Sequence, residues 1–192
     1  IRITGGEPLV RNDIIKLIKK LNYKKNKTNL KEITLTTNGT LLKKYAKQLR
    51  ENGIERINVS LDTINPKKYN KITRFGNIEK VFDGINEALN NGIKIKINTV
   101  VIKDFNEDEI EKLIYWTNSK KIDLTFIEVM PMEETDISRE YQFTSLTEIF
   151  DSLNKIYNFK QSTYKTGGPA RFYTSNSLST KIGFISPLTN NF

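Results

Sequence analysis

Apolar residues recur along this chain in two rhythms: every second position over short runs, and every third or fourth position over the stretches between them. The two-residue rhythm predicts strands over residues 1–4, 33–36, 56–61, 93–101 and 124–129. The helical rhythm appears as a stripe of Ile14, Leu17, Ile18 and Leu21, then as Leu42, Ala46 and Leu49. A third helix places Ile78, Val81, Phe82, Ile85 and Leu89 on one face, with Gly92 suited to the position just past its end. A fourth starts at Asn106, where Glu109 three residues on completes a capping box ahead of Ile110, Leu113 and Ile114. Strand and helix alternating at this spacing predict an α/β fold, a parallel sheet with right-handed crossovers. No linker interrupts the alternation. After Met130 the rhythm changes to a polar, acidic loop over residues 131–143. A last helix then runs from a cap of Ser145 and Glu148 to about Tyr157, and residues 171–174 and 181–185 form a hairpin.

The parity within the strands refines this picture. Ile1 and Ile3 oppose Arg2, Thr4 and Gly6; Ile33 and Leu35 oppose Thr34, Thr36 and Asn38. Ile57, Val59 and Leu61 oppose Asn58, Ser60 and Asp62, and Ile93, Ile95 and Ile97 oppose Lys94, Lys96 and Asn98. Parallel strands covered by helices on both faces read as continuous apolar runs, and these do not. A curved, barrel-like sheet with helices outside reconciles the two, its polar residues lining an incomplete lumen that takes a polar ligand. An uncompensated buried charge costs on the order of several kcal/mol, so Arg2 and Lys96 turned inward call for an anion. The strand ends deliver Gly-Gly-Glu, Thr-Thr-Asn-Gly and Ser-Leu-Asp, and in parallel barrels that edge binds ligands. An antiparallel sheet with an ordinary solvated face is the alternative; the intervening helices count against it.

Composition narrows the chemistry. The 192 residues suffice for one core, and 37% are hydrophobic, with no apolar run near the ~18 residues that span a bilayer. Cysteine and histidine are both absent, which excludes disulfides, thiolate or imidazole metal sites and Cys- or Ser/His-based nucleophiles within these residues. The net charge of +9 comes mostly from dispersed lysines, as in Tyr23-Lys24-Lys25-Asn26-Lys27, and reads as a solvated surface more than a nucleic-acid groove.

With the turns laid out, "IRITGGEPL", "LTTNGTLL", "INVSLDTI", "KIKINTVV", "FIEVMPM" and "GGPARFY" with "IGFISPLTNNF" resemble, in order and spacing, the GTP 3′,8-cyclase family of molybdenum cofactor biosynthesis, within the radical S-adenosylmethionine (SAM) superfamily. The resemblance implies a partial TIM-type barrel, a (β/α)6 core missing its first strand, over residues 1–132. Residues 133–192 would form an extension leading toward a second cluster region. It implies SAM and two [4Fe-4S] clusters as cofactors, GTP as substrate, and cyclic pyranopterin monophosphate synthase as the downstream partner. A homodimer is left open; no membrane is expected, and the compartment would be the bacterial cytoplasm or the mitochondrial matrix. Carried over by position, Gly6, Ser60 and Met130 would contact SAM, and Arg2, Thr36 and Lys96 would contact GTP. Glu7, Asn38, Asp62 and Asn98 share the same rim or face without a definite role.

Two departures accompany the resemblance. Thr125 stands where the family usually has arginine. The cysteine motifs of both clusters would lie outside the chain, before Ile1 and after Phe192, so the chain reads as a central fragment, inactive alone. Two other readings stay open at this point: a radical SAM enzyme with a different substrate, and a basic, non-catalytic binding module.

Overall fold

The computed structural model describes residues 1–25, 27–129 and 143–186. They fall into two compact units, residues 1–60 with 65–96, and residues 61–64 with 97–186 of the described chain.

In the first unit, β1 (Arg2–Ile3), β2 (Thr34–Thr37) and β3 (Arg56–Ser60) pair in parallel and in chain order. β4 (Lys94–Val101) begins beside β3, the Lys94 N–H donating to the Glu55 carbonyl at 2.9 Å. Three helices fall where the apolar stripes predict them: α1 (Ile14–Lys25), α2 (Leu42–Glu51) and, after an unforeseen α3 (Pro66–Thr73), α4 (Ile78–Asn90). α2 and α4 pack closely because Gly84 has no side chain; a Cβ there would lie 2.5 Å from the Gly39 carbonyl oxygen. Gly92, at φ +73, follows α4 as its terminating residue. α3 lacks an apolar stripe and buries only Tyr69. It is started locally, by Asn65 accepting from the Lys67 and Lys68 amides and by Pro66 in its first turn.

The second unit contains the end of β4, α5 (Ile110–Ser119), β5 (Asp123–Glu128), α6 (Leu146–Tyr157), β6 (Lys160–Gln161), β7 (Arg171–Thr174) and β8 (Ile182–Ile185). β5 pairs in parallel with β8, while β8–β7 and β7–β6 are antiparallel. The hairpin is therefore as expected, with the two-residue β6 added. Phe150 of α6 packs on Tyr173 and Phe184, ring centroids 4.7 and 5.3 Å away, which holds the helix on the hairpin.

Neither expected capping bond forms; at Asn106 the side chain is claimed by other backbone groups. Asn106 does not cap α5. Its amide instead donates to the Asp62 and Val100 carbonyls, and its oxygen accepts from the Ile102 N–H. Glu109 accepts from the Thr63 hydroxyl at 2.7 Å and the Ile64 N–H at 3.2 Å. A 3-10 turn over Glu107–Glu109 replaces the first helical turn, and α5 starts at Ile110. Likewise the Ser145 side chain makes no capping bond; Glu128, buried at the end of β5, accepts from the Leu146 N–H at 3.1 Å and from the Ser186 hydroxyl.

Candidate functional site

The first unit's sheet has one apolar and one polar face, and both are largely buried. Register sets Ile3, Leu35 and Ile57 in one row, and Arg2, Thr34 and Arg56 in the next. Thr36 pairs with Asn58 in a further polar row. Thr34, Arg56, Asn58 and Lys96 are at most 7% exposed, so these polar residues do not form an ordinary solvated face. Lys94, at the strand start, is exposed.

Burying Arg56 needs compensation. Its guanidinium forks onto Glu32, Nε to Oε1 at 3.0 Å and Nη2 to Oε2 at 2.8 Å, while Nη1 donates to Asn58 Oδ1 at 3.2 Å. Thr34 adds a hydroxyl bond to the Arg56 carbonyl at 2.9 Å. The fork holds the Glu32 carboxyl below the usual carboxylate range, chiefly by hydrogen bonding and then by charge, against some desolvation. A depressed carboxyl contributes stability that is present above its unfolded value, about 4.3, and lost as pH falls through the lower folded value. Glu32→Gln should therefore flatten the acid limb of a stability profile measured by urea titration from pH 7 to 3. An unchanged acid limb would count against the pairing as a source of stability.

The rim is held by Glu7. Its Oε1 accepts from the Leu9 N–H at 3.0 Å and the Thr37 hydroxyl at 2.8 Å, and its Oε2 accepts from the Asn38 N–H at 2.7 Å. The Gly-Gly-Glu-Pro turn after β1 is thereby tied to the Thr-Thr-Asn-Gly turn after β2. Gly39 completes the second turn at φ +82, where a Cβ would stand 2.9 Å from Val81 Cγ1. Asn38 turns its own Oδ1 back onto the Thr40 N–H and hydroxyl.

The predicted residues fall around this frame. Gly6 follows Gly5, whose φ is +149, and a Cβ added at Gly6 would meet nothing within 4 Å. Ser60 ends β3 and is exposed. Thr36 is half-buried, with the Asn58 amide nitrogen 3.5 Å from its hydroxyl. Lys96 is buried in β4, whereas Arg2, on the edge strand β1, is exposed. Met130 lies outside the described residues. Sequence reasoning assigned no function to Arg56 and Glu32; a charged residue starting a strand that alternates apolar and polar positions was the available signal.

In the second unit, Asp62 Oδ1 accepts from the Val100 N–H at 2.8 Å, and burial pushes its carboxyl up despite that bond. Asn98 Oδ1 and Thr125 Oγ1 are buried without a hydrogen-bond partner among the described residues. A cavity of about 650 Å³ between α5 and α6 is lined by Glu107, Asp108, Glu111 and Glu148 and contains none of the predicted site residues. Among the described residues no cluster of acidic groups could hold a metal ion, and no helix is long and apolar enough to cross a membrane.

The family model for the radical SAM superfamily matches residues 1–116, the stretch that includes both glycine-bearing turns and the polar rows. The chain belongs to the radical SAM superfamily. A second model, Molybdenum Cofactor Synthesis C, matches residues 122–192 of this radical SAM chain. Over all 192 residues the chain is 46% identical to a GTP 3′,8-cyclase of Sinorhizobium medicae and 45% identical to one of Brucella ovis. It covers 55% and 56% of those proteins, and so spans little more than half the length of the curated relatives it matches.

Among solved structures, Streptococcus suis SuiB bound to S-adenosylmethionine is similar over 96% of this chain and 39% of SuiB, with TM-score 0.63 and 16% identity. The protein anSMEcpe with bound AdoMet is similar over 81% of this chain and 43% of its own, with TM-score 0.65 and 24% identity. At those identities the likeness shows the fold: the radical SAM chain has the α/β, partial TIM-type architecture expected from its strand parity.

Proposed function

We propose that this radical SAM chain is the central part of a GTP 3′,8-cyclase. That enzyme is a lyase converting GTP to (8S)-3′,8-cyclo-7,8-dihydroguanosine 5′-triphosphate in molybdenum cofactor biosynthesis. The observation that carries the reading is the match of every residue, at 45–46% identity, to proteins of that name, with both family models in order along the chain.

When bound beside a [4Fe-4S] cluster, SAM would supply the radical chemistry that initiates the reaction. The chain contains no cysteine, so the thiolates for both clusters have to come from outside these residues. For SAM itself the residues fit. A Cβ at Gly6 would meet nothing within 4 Å, so the methionyl group would have room against the backbone there, and the exposed Ser60 hydroxyl at the end of β3 would be its second contact. Met130 is assigned to the adenine. GTP would take Arg2 by its fork, Lys96 as a point charge and Thr36 by its hydroxyl, a set suited to phosphate oxygens.

Residues 1–132 would then supply the barrel and residues 133–192 the approach to the second cluster. The product would pass to cyclic pyranopterin monophosphate synthase, in the bacterial cytoplasm or the mitochondrial matrix. The full-length protein, purified without oxygen and given GTP, SAM and a reductant, should form the cyclised nucleotide, and the 192-residue chain alone should form none. No product from the full-length protein would overturn the reading.

A further inference from the structure

Four side chains of the polar face, the part-exposed Glu32, the buried Arg56 and Asn58, and the half-buried Thr36, are linked in one direction. Glu32 can only accept, and it takes two donors from Arg56. The remaining arm of that guanidinium donates to Asn58 Oδ1 at 3.2 Å. An amide can be placed either way round, but a guanidinium has no acceptor, so the contact fixes Asn58 with its oxygen toward Arg56. Its nitrogen then faces Thr36 Oγ1, at the long separation of 3.5 Å. A hydroxyl approached by an N–H donor does not need its own proton for that contact. Were the amide reversed, its oxygen would attract the Thr36 proton inward.

We propose that Glu32, Arg56 and Asn58 act as a polarity relay that sets Thr36 as a hydrogen-bond donor to the anionic oxygens of the bound nucleotide. Arg56 and Asn58 are positioning residues in this scheme, acting through Thr36. The relay rests on the proposed function, because it assumes that Thr36 meets GTP. Each link lies within the first unit, and Asn58 is only 1% exposed, so bulk water does not compete for its amide. The relay also gives a reason to bury an arginine at this point: Glu32 neutralises its charge through Nε and Nη2, and an N–H of the remaining Nη1 arm orients the amide.

The test is a double-mutant cycle on GTP binding, measured by calorimetry on the full-length, cluster-loaded protein in the presence of SAM. Asn58→Leu preserves approximate volume and net charge while removing the amide. It should weaken GTP about tenfold and leave SAM affinity within about twofold. In a Thr36→Val background the same substitution should change GTP affinity less than about twofold, because the group it orients is gone. Arg56→Lys, which keeps the charge but loses the fork, should show the same dependence on Thr36, and serves if Asn58→Leu does not fold. An equal loss in both backgrounds, or no loss in either, overturns the relay alone. Absence of GTP binding by the unsubstituted protein overturns the proposed function and the relay with it.

Discussion

Glu7→Ala is expected to destabilise the first unit by about 2–4 kcal/mol, read as a lower urea midpoint of the full-length protein. One carboxylate accepts three hydrogen bonds, from Leu9, Thr37 and Asn38, and bonds to a charged acceptor contribute about 1.5–3 kcal/mol each before losses overlap. The damage should be local as well. The two turns are joined through this side chain, so the Asn38 amide should lose hydrogen-exchange protection ahead of the strands. Glu7→Gln should fall between alanine and the native residue, since its oxygen can still accept from Thr37 and Leu9 while its amide nitrogen faces the Asn38 N–H without an acceptor. A native midpoint with undiminished Asn38 protection in the alanine variant would show that the turns hold their shape without the carboxylate.

Lys96→Ala should weaken GTP binding by about 10- to 100-fold, or roughly 1.4–2.7 kcal/mol, while SAM affinity changes little. Lys96 is only 4% exposed, and a charge shielded from water acts on a phosphate at a much lower effective dielectric than a surface lysine does. Lys94, two residues earlier and exposed, provides the control: its removal should leave both affinities near native. Parallel calorimetric titrations with the two ligands separate the cases. Equal loss of GTP and SAM affinity would mean that Lys96 supports the sheet and does not meet the nucleotide.

Much of this architecture was legible because it depends on periodicity. The alternation in residues 33–36, 56–61 and 93–101 placed β2, β3 and β4 within a residue of their bounds, and it also revealed that one face was polar. Stripes of Ile, Leu and Val located α1, α2 and α4 for the same reason. α3 escaped because its start is written in Asn65 and Pro66, a capping signal, and hardly at all in buried apolar positions. The capping box at Asn106 was misread because a local motif and distant partners compete for the same groups. Glu109 finds Thr63 across 46 residues, and Asn106 finds the Asp62 carbonyl across 44. The candidate site divides in the same way. Arg2, Thr36 and Lys96 could be placed by parity, whereas the contacts of Glu7 and Arg56 exist only once strand register brings their turns and rows together.

The pairing of β5 with β8 has a consequence during synthesis. β5 ends at Glu128 and its partner begins at Ile182, so roughly fifty residues must leave the ribosome before that edge is covered. At about 5–20 residues per second the wait is several seconds, during which the hydrogen-bonding edge beside Leu124 and Phe126 has no permanent neighbour. An unpaired, apolar strand edge is a template for other chains. The nascent protein is therefore most exposed to aggregation in that interval, and a nascent chain arrested with Ile182 still inside the ribosome should bind a chaperone that a chain arrested with Ser186 already outside releases.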